Sequence, residues 1–127
     1  MKDVKREMKR AHHDLQVWQL GMRLVKDIYA MTRTFPDSER FGLSSQMQRA
    51  AVSIPSNIAE GAARTGDKEF LQFLSIARGS LSELETQVMI SKELGYIRDD
   101  KEVLELMNEL YAKMTALITS IRAKGVK

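Results

Sequence analysis

Three interruptions, Phe35-Pro36, Thr65-Gly66-Asp67 and Gly95, divide an otherwise helix-patterned chain into four amphipathic segments. No other feature limits the fold as strongly. The residue before a proline is biased away from helix, and a glycine just past the last apolar position is a common helix stop. In the first segment Val17, Gly21, Leu24, Ile28, Met31 and Phe35 alternate steps of four and three, and Trp18, Val25 and Tyr29 widen the stripe. Met47, Ala50, Ala51, Ile54 and Ile58 form the apolar face of the second. Phe70, Leu74, Ala77, Leu81, Leu84 and Val88 repeat the spacing in the third, and Val103, Met107, Leu110, Met114, Leu117 and Ile121 in the fourth.

The expected helices run from Leu15 to Phe35, from about Ser44 to Ala63, up to Leu94, and onward from a cap at Asp99 or Asp100. Asp37, Ser38 and Ser44 are candidate caps for the second helix. Pro55 lies inside that helix and predicts a kink near residues 51–56. Sustained spacing of three and four also suits a long coiled coil, but the breaks fold the chain back on itself. The expectation is all-α: an antiparallel up-down-up-down four-helix bundle over residues 14–124, preceded by a basic, flexible arm at residues 1–13.

The chain has 127 residues, enough for one domain, and 43% hydrophobic residues, enough for an ordinary core. Lys and Arg number 20 against 17 Asp and Glu, a net charge of only +3, so charge alone argues weakly for a nucleic-acid partner. Without cysteine there are no disulfides, thiolate nucleophiles or sulfur-ligated zinc. With no apolar leader and no run long enough to span a bilayer, a cytoplasmic protein without membrane partners is expected.

One polar stripe crosses the second segment. Gln46, Arg49, Ser53, Asn57, Glu60 and Arg64 share one helical face, opposite the apolar residues. If the second and third helices are antiparallel about Gly66, Arg49 faces Glu85, Ser53 faces Ser82, Asn57 faces Arg78 and Glu60 faces Ser75. The stripe then reads as a structural network of Gln46, Arg49, Ser53, Asn57, Glu60, Arg78, Ser82 and Glu85 that fixes helix register. The competing reading is a binding surface, for which only its ends, especially Arg64, are well placed.

Catalysis finds little support, and no small-molecule substrate or cofactor is expected. Glu60 and Glu85 could pair for acid–base work, but a di-metal bundle site needs Glu-x-x-His motifs and no histidine follows His13. Ser53, Ser56, Ser80 and Ser82 have no helical histidine to activate them, and no glycine-rich phosphate loop is present. His12 and His13 read as exposed tail histidines rather than a metal site, and the eight methionines as core filler. RNA or DNA binding competes more seriously. Lys5, Arg6, Lys9 and Arg10 of the arm, with Arg40, Arg64 and Lys68, could contact phosphates if several subunits align them. Interspersed glutamates and scarce exposed aromatics argue against it. Surplus apolar surface at Trp18, Val25, Tyr29, Phe41 and Leu43 marks a subunit interface or a sticky groove, and a homo-oligomer is expected.

Four segments together resemble a known family: LQVWQ at Leu15 to Gln19, FPDSERFGL at Phe35 to Leu43, QMQRAAVSIPSNIAEG at Gln46 to Gly61, and FLQFLSIARGSLSELETQ at Phe70 to Gln87, with LGY at Leu94 to Tyr96. The chain is similar to the 23S rRNA intervening-sequence proteins, also called the S23 family, over about residues 15–120. One departure is Gln48, where the family commonly has a second arginine beside Arg49, which weakens a strongly basic RNA platform there. The resemblance implies a bundle assembling into a ring-like homopentamer. It also implies likeness to the accessory variability determinant of diversity-generating retroelements, a pentameric relative that binds nucleic acid and a reverse transcriptase. It carries over no catalytic residue. The reading is a non-enzymatic, oligomeric interaction protein that binds nucleic acid or a nucleic-acid-processing partner, with a protein scaffold lacking nucleic-acid affinity as the alternative.

Overall fold

The structure, a computed structural model, describes residues 10–125. A 3-10 turn, Ala11–Asp14, leads into α1 (Gln16–Thr32), and a second, Asp37–Glu39, leads into α2 (Leu43–Ala62). The chain continues through α3 (Asp67–Glu93) and α4 (Lys101–Gly125). Each helix packs on two neighbours. The α2–α3 contact is the most extensive, then α1–α2, α3–α4 and α1–α4, whereas the diagonal pairs α1–α3 and α2–α4 do not meet. That is the square cross-section of an up-down-up-down bundle.

The core follows the predicted stripes. Leu24, Ile28, Met47, Ile54, Ile58, Leu74, Leu84, Leu110 and Met114 are fully enclosed. Two glycines let helices approach closely. A Cβ on Gly21 would sit 3.4 Å from Ile54 and 3.5 Å from the Pro55 ring. On Gly61 it would lie 2.7 Å from the Phe73 Cβ and 3.0 Å from the Phe70 ring, closer than atoms can pack. Methionine does not fill the core throughout, since Met22 and Met89 are exposed.

Helix ends depart from expectation in instructive ways. α1 stops at Thr32 rather than Phe35, because the Thr34 and Phe35 amides donate to the Met31 and Thr32 carbonyls in tight turns that swing Phe35 back into the core. None of Asp37, Ser38 or Ser44 caps α2. Gly42 holds the N-cap position and the Glu39 carboxylate, lifted over the helix start by the 3-10 turn, accepts the Leu43 N–H at 3.1 Å. α2 continues through Pro55 as one unbroken helix, with the ring buried against Gly21. Gly95 ends α3 at φ 77°. Its N–H donates to Lys92 and the Tyr96 N–H to Ser91, the paired bonds of a Schellman stop. Asp99 accepts the Lys101 N–H at 2.9 Å and so starts α4.

Residues Lys5, Arg6 and Lys9 of the expected arm lie outside the described residues. Its described part is folded. Ala11–Asp14 packs on α1 and α2, and His12 and His13 are half-buried. Their rings lie 5.2 and 5.0 Å from Trp18, which replaces the expected exposed tail histidines with an aromatic cluster. Burial, then the neighbouring His13 and Arg10, lowers the His12 pKa below the ordinary histidine value.

Candidate functional site

The polar stripe on α2 is a smaller network than its spacing predicts. The Ser53 and Ser80 hydroxyls are hydrogen-bonded at 2.9 Å, and the Asn57 amide donates to the Ser53 hydroxyl at 2.9 Å and its carbonyl at 2.8 Å. Ser53 therefore meets Ser80 rather than Ser82. Arg78 turns away from Asn57 towards α4, donating to the Thr115 hydroxyl at 3.3 Å with its guanidinium 5.8 Å from the Tyr111 ring. Arg49 and Glu85 do not pair. Arg49 lines a cleft beside Tyr29 of α1, whereas Glu85 and Ser82 line one beside Asn108 and Tyr111 of α4. Helical rotation has put them on different faces of the bundle. Gln46 is exposed and Glu60 accepts from Arg64, four residues on in the turn after α2.

The residues expected at a subunit interface divide into two sets. Trp18, Val25 and Leu43 are half-buried and pack against the core. Trp18 and Val25 also line an outward-facing cleft of about 330 Å³ with Met22, Val52, Pro55 and Ala59, apolar almost throughout. Tyr29 and Val52 carry the apolar surface into the next cleft along α1 and α2. Phe41 stands apart at the end of the bundle, 88% exposed.

The basic residues lie at two ends. Arg40 sits on the link before α2, and Arg64 and Lys68 flank the turn after it, so the helix length of about 30 Å separates them. Arg64 is held by Glu60 at 2.8 Å and Glu69 at 3.6 Å, with its guanidinium 5.0 Å from the Phe73 ring. Lys68 and Arg10 are exposed. Arg40 lies 5.4 Å from the Phe41 ring. No single subunit gathers these cations into one patch.

At the Arg40 end two links are tied together. The Tyr96 hydroxyl donates to Glu39 at 2.7 Å while the other carboxylate oxygen of Glu39 caps α2, and the Tyr96 ring packs 5.2 Å from Phe35. The Tyr96 hydrogen bond, then the Leu43 amide, holds the Glu39 pKa below the ordinary carboxylate value. The same bond raises that of Tyr96. Sequence reasoning missed both residues, and also Ser80 and Thr115. The FPDSERFGL and LGY segments held the only signal, polar residues inside link sequences of distinctive composition.

Among the described residues no group of three or more His, Asp or Glu side chains could hold a metal ion, and no helix is long and apolar enough to cross a membrane.

The bundle is similar to a crystal structure of a protein of unknown function from the S23 ribosomal protein family of Bacteroides thetaiotaomicron VPI-5482. The TM-score is 0.75 at 20% identity, over 81% of this chain and 95% of that one, a likeness of fold alone. No curated protein sequence matches the chain. The profile of the 23S rRNA-intervening sequence protein family does match, over residues 13–120, from the His12–Trp18 cluster to the last turns of α4. The sequence segments that suggested the family and the bundle they build thus agree, and the chain belongs to the 23S rRNA-intervening sequence protein family.

Proposed function

We propose that this protein is a non-enzymatic, cytoplasmic interaction protein that assembles into a ring-like homopentamer and binds RNA or DNA, or a partner that processes them. The observation carrying this reading is the apolar cleft of Trp18, Met22, Val25, Val52, Pro55 and Ala59 on the outside of α1 and α2. A face of this composition, continuous with Tyr29, suits burial against a second copy better than exposure to water. Assembly would also repeat Arg40 and Lys68 around a ring, which multiplies phosphate contacts that a single subunit makes too sparsely. The likeness to the accessory variability determinant of diversity-generating retroelements that the sequence resemblance implies would support the same reading.

Light scattering of the full chain tests assembly. The expected mass is near five times 14.5 kDa, falling towards one chain in Trp18→Ala/Val25→Ser, and a wild-type mass of one chain at micromolar concentration rejects the oligomer. Titration of labelled RNA and DNA at low and high salt tests the partner. Binding that weakens steeply with salt supports phosphate contacts. The absence of binding at low salt favours the second reading, a scaffold without nucleic-acid affinity, which the neutralisation of Arg64 by Glu60 and Glu69 also supports.

A further inference from the structure

A polar cleft of about 370 Å³ opens where α1 ends and α2 begins, beside the exposed Phe41. Arg33 and Arg40 line it, both exposed, and neither forms an ion pair among the described residues. Its floor is the first turn of α2. Glu39 takes the Leu43 N–H there, and the Ser44 and Ser45 amides that follow have no acceptor among the described residues. Unsatisfied amides at the start of a twenty-residue helix favour an anion.

Ser44 supplies independent evidence. It is only 7% exposed and lines the cleft, yet its hydroxyl has no hydrogen-bond partner among the described residues. The hydroxyl itself reaches the cleft, since Gln87 Oε1 is the one fully buried side-chain N or O atom without a partner among the described residues. By contrast Gln48, on the same wall, is anchored to the buried Thr32 hydroxyl at 3.0 Å. The cleft thus offers the Ser44 and Ser45 hydroxyls, free helix-start amides and two guanidinium groups. Asp37 is the one carboxylate lining it, and the Glu39 carboxylate stands beside it at the helix start.

Phe41 indicates what adjoins the anion. Its ring is 88% exposed at the rim, and the Arg40 guanidinium lies 5.4 Å from it. An exposed aromatic at the rim of a cleft with two guanidinium groups offers a stacking face next to phosphate contacts. We propose that this cleft binds one nucleotide unit of a single-stranded nucleic acid, the phosphate against Arg33, Arg40 and Ser44 and the base stacked on Phe41. The proposal rests on the nucleic-acid reading above and adds a site and a preference for unpaired strands. Duplex DNA or RNA keeps its bases stacked internally and can use only the cations.

Fluorescence anisotropy of the full-length protein tests this, with a labelled single-stranded oligonucleotide and the duplex of the same sequence as probes. Phe41→Ala is expected to weaken single-strand binding about tenfold while leaving duplex binding unchanged. Arg33→Gln/Arg40→Gln is expected to reduce the dependence of log affinity on log salt by about 1.4, two single-strand phosphate contacts' worth. All three side chains are exposed, so the variants are expected to fold, with circular dichroism as the check. Arg64→Ala/Lys68→Ala, at the opposite end, is the control. If that control abolishes binding while the cleft variants bind like wild type, the cleft assignment fails and the nucleic-acid reading stands. If wild type binds neither probe at low salt, both fail.

Discussion

The two ends of the bundle are secured differently. At the end carrying the α1–α2 and α3–α4 links, side chains reach across long stretches of sequence: Tyr96 to Glu39, Tyr96 to Phe35, and the buried Ser91 hydroxyl to the Met47 sulfur at 3.3 Å. At the α2–α3 turn the contacts are local. Gly61 lies against Phe70 and Phe73, and Arg64 against Glu60, Glu69 and Phe73. The link end therefore sets how the α1–α2 hairpin meets the α3–α4 hairpin, while the turn end closes one hairpin on itself. The open cleft with its unpartnered hydroxyl lies at the well-tied end, where a rigid frame can hold donors in place for a ligand.

The turn end depends most on Gly61, and its substitution should have the largest effect. Gly61→Val would drive carbon into the Phe73 Cβ, an atom fixed to backbone, so α2 and α3 must separate. A loss of about 3 kcal/mol is expected, read as the shift in urea midpoint. If stability instead fell only marginally, the close α2–α3 approach at this end would not be holding the hairpin.

The link end responds to pH as well as to mutation. Glu39→Ala removes the α2 cap and the Tyr96 partner together and should lower the melting temperature, though less than Gly61→Val. Because folding lowers the Glu39 pKa, its contribution is full above the ordinary carboxylate range and is lost as pH falls through the lowered value. The raised Tyr96 pKa makes the opposite limb, with stability present below the ordinary tyrosine range and lost as pH rises through the raised value. Tyr96→Phe should flatten both limbs of the melting-temperature profile. An unchanged profile would mean that the two links are not coupled through this bond.

How much of this was legible follows from whether the cause was local. Pro36, Gly66 and Gly95 act through their own backbone chemistry, and the boundaries they predict lie close to those found. The pairing of Ser53 with Ser80 instead of Ser82 depends on how far α2 slides along α3, which the Gly61 contact sets in three dimensions. Register alone pairs Arg49 with Glu85. Helical rotation, which register does not specify, turns one towards α1 and the other towards α4. The Glu39 cap was hidden because it requires a 3-10 turn to carry a carboxylate back over Leu43. His12 and His13 follow no apolar repeat, so nothing in the spacing places them on Trp18.

Between the two ends, the Ser53–Ser80–Asn57 cluster is the polar tie along the α2–α3 seam. Ser53→Ala removes an acceptor from Asn57 and the partner of Ser80, and should cost about 1 kcal/mol. Ser80→Ala should cost less than Ser53→Ala, because Asn57 keeps both of its bonds to Ser53. Equal losses in a double-mutant cycle would show that the Ser53–Ser80 bond carries the whole effect.

The smallest effect is expected from the residue with the most visible charge contacts. Arg64 joins two glutamates and stacks on Phe73, yet it and both carboxylates stand substantially in solvent, with side-chain exposures of 42%, 54% and 51%. Water and salt screen such pairs, and holding three long side chains in place costs entropy. Arg64→Ala should therefore change stability by less than about 0.5 kcal/mol, and the small difference should shrink further in high salt. Gly61 lies three positions earlier, in the last turn of α2, and is expected to matter several times more. A loss from Arg64→Ala approaching that from Gly61→Val would reverse the comparison, making charge rather than close helix approach the fastening of the turn end.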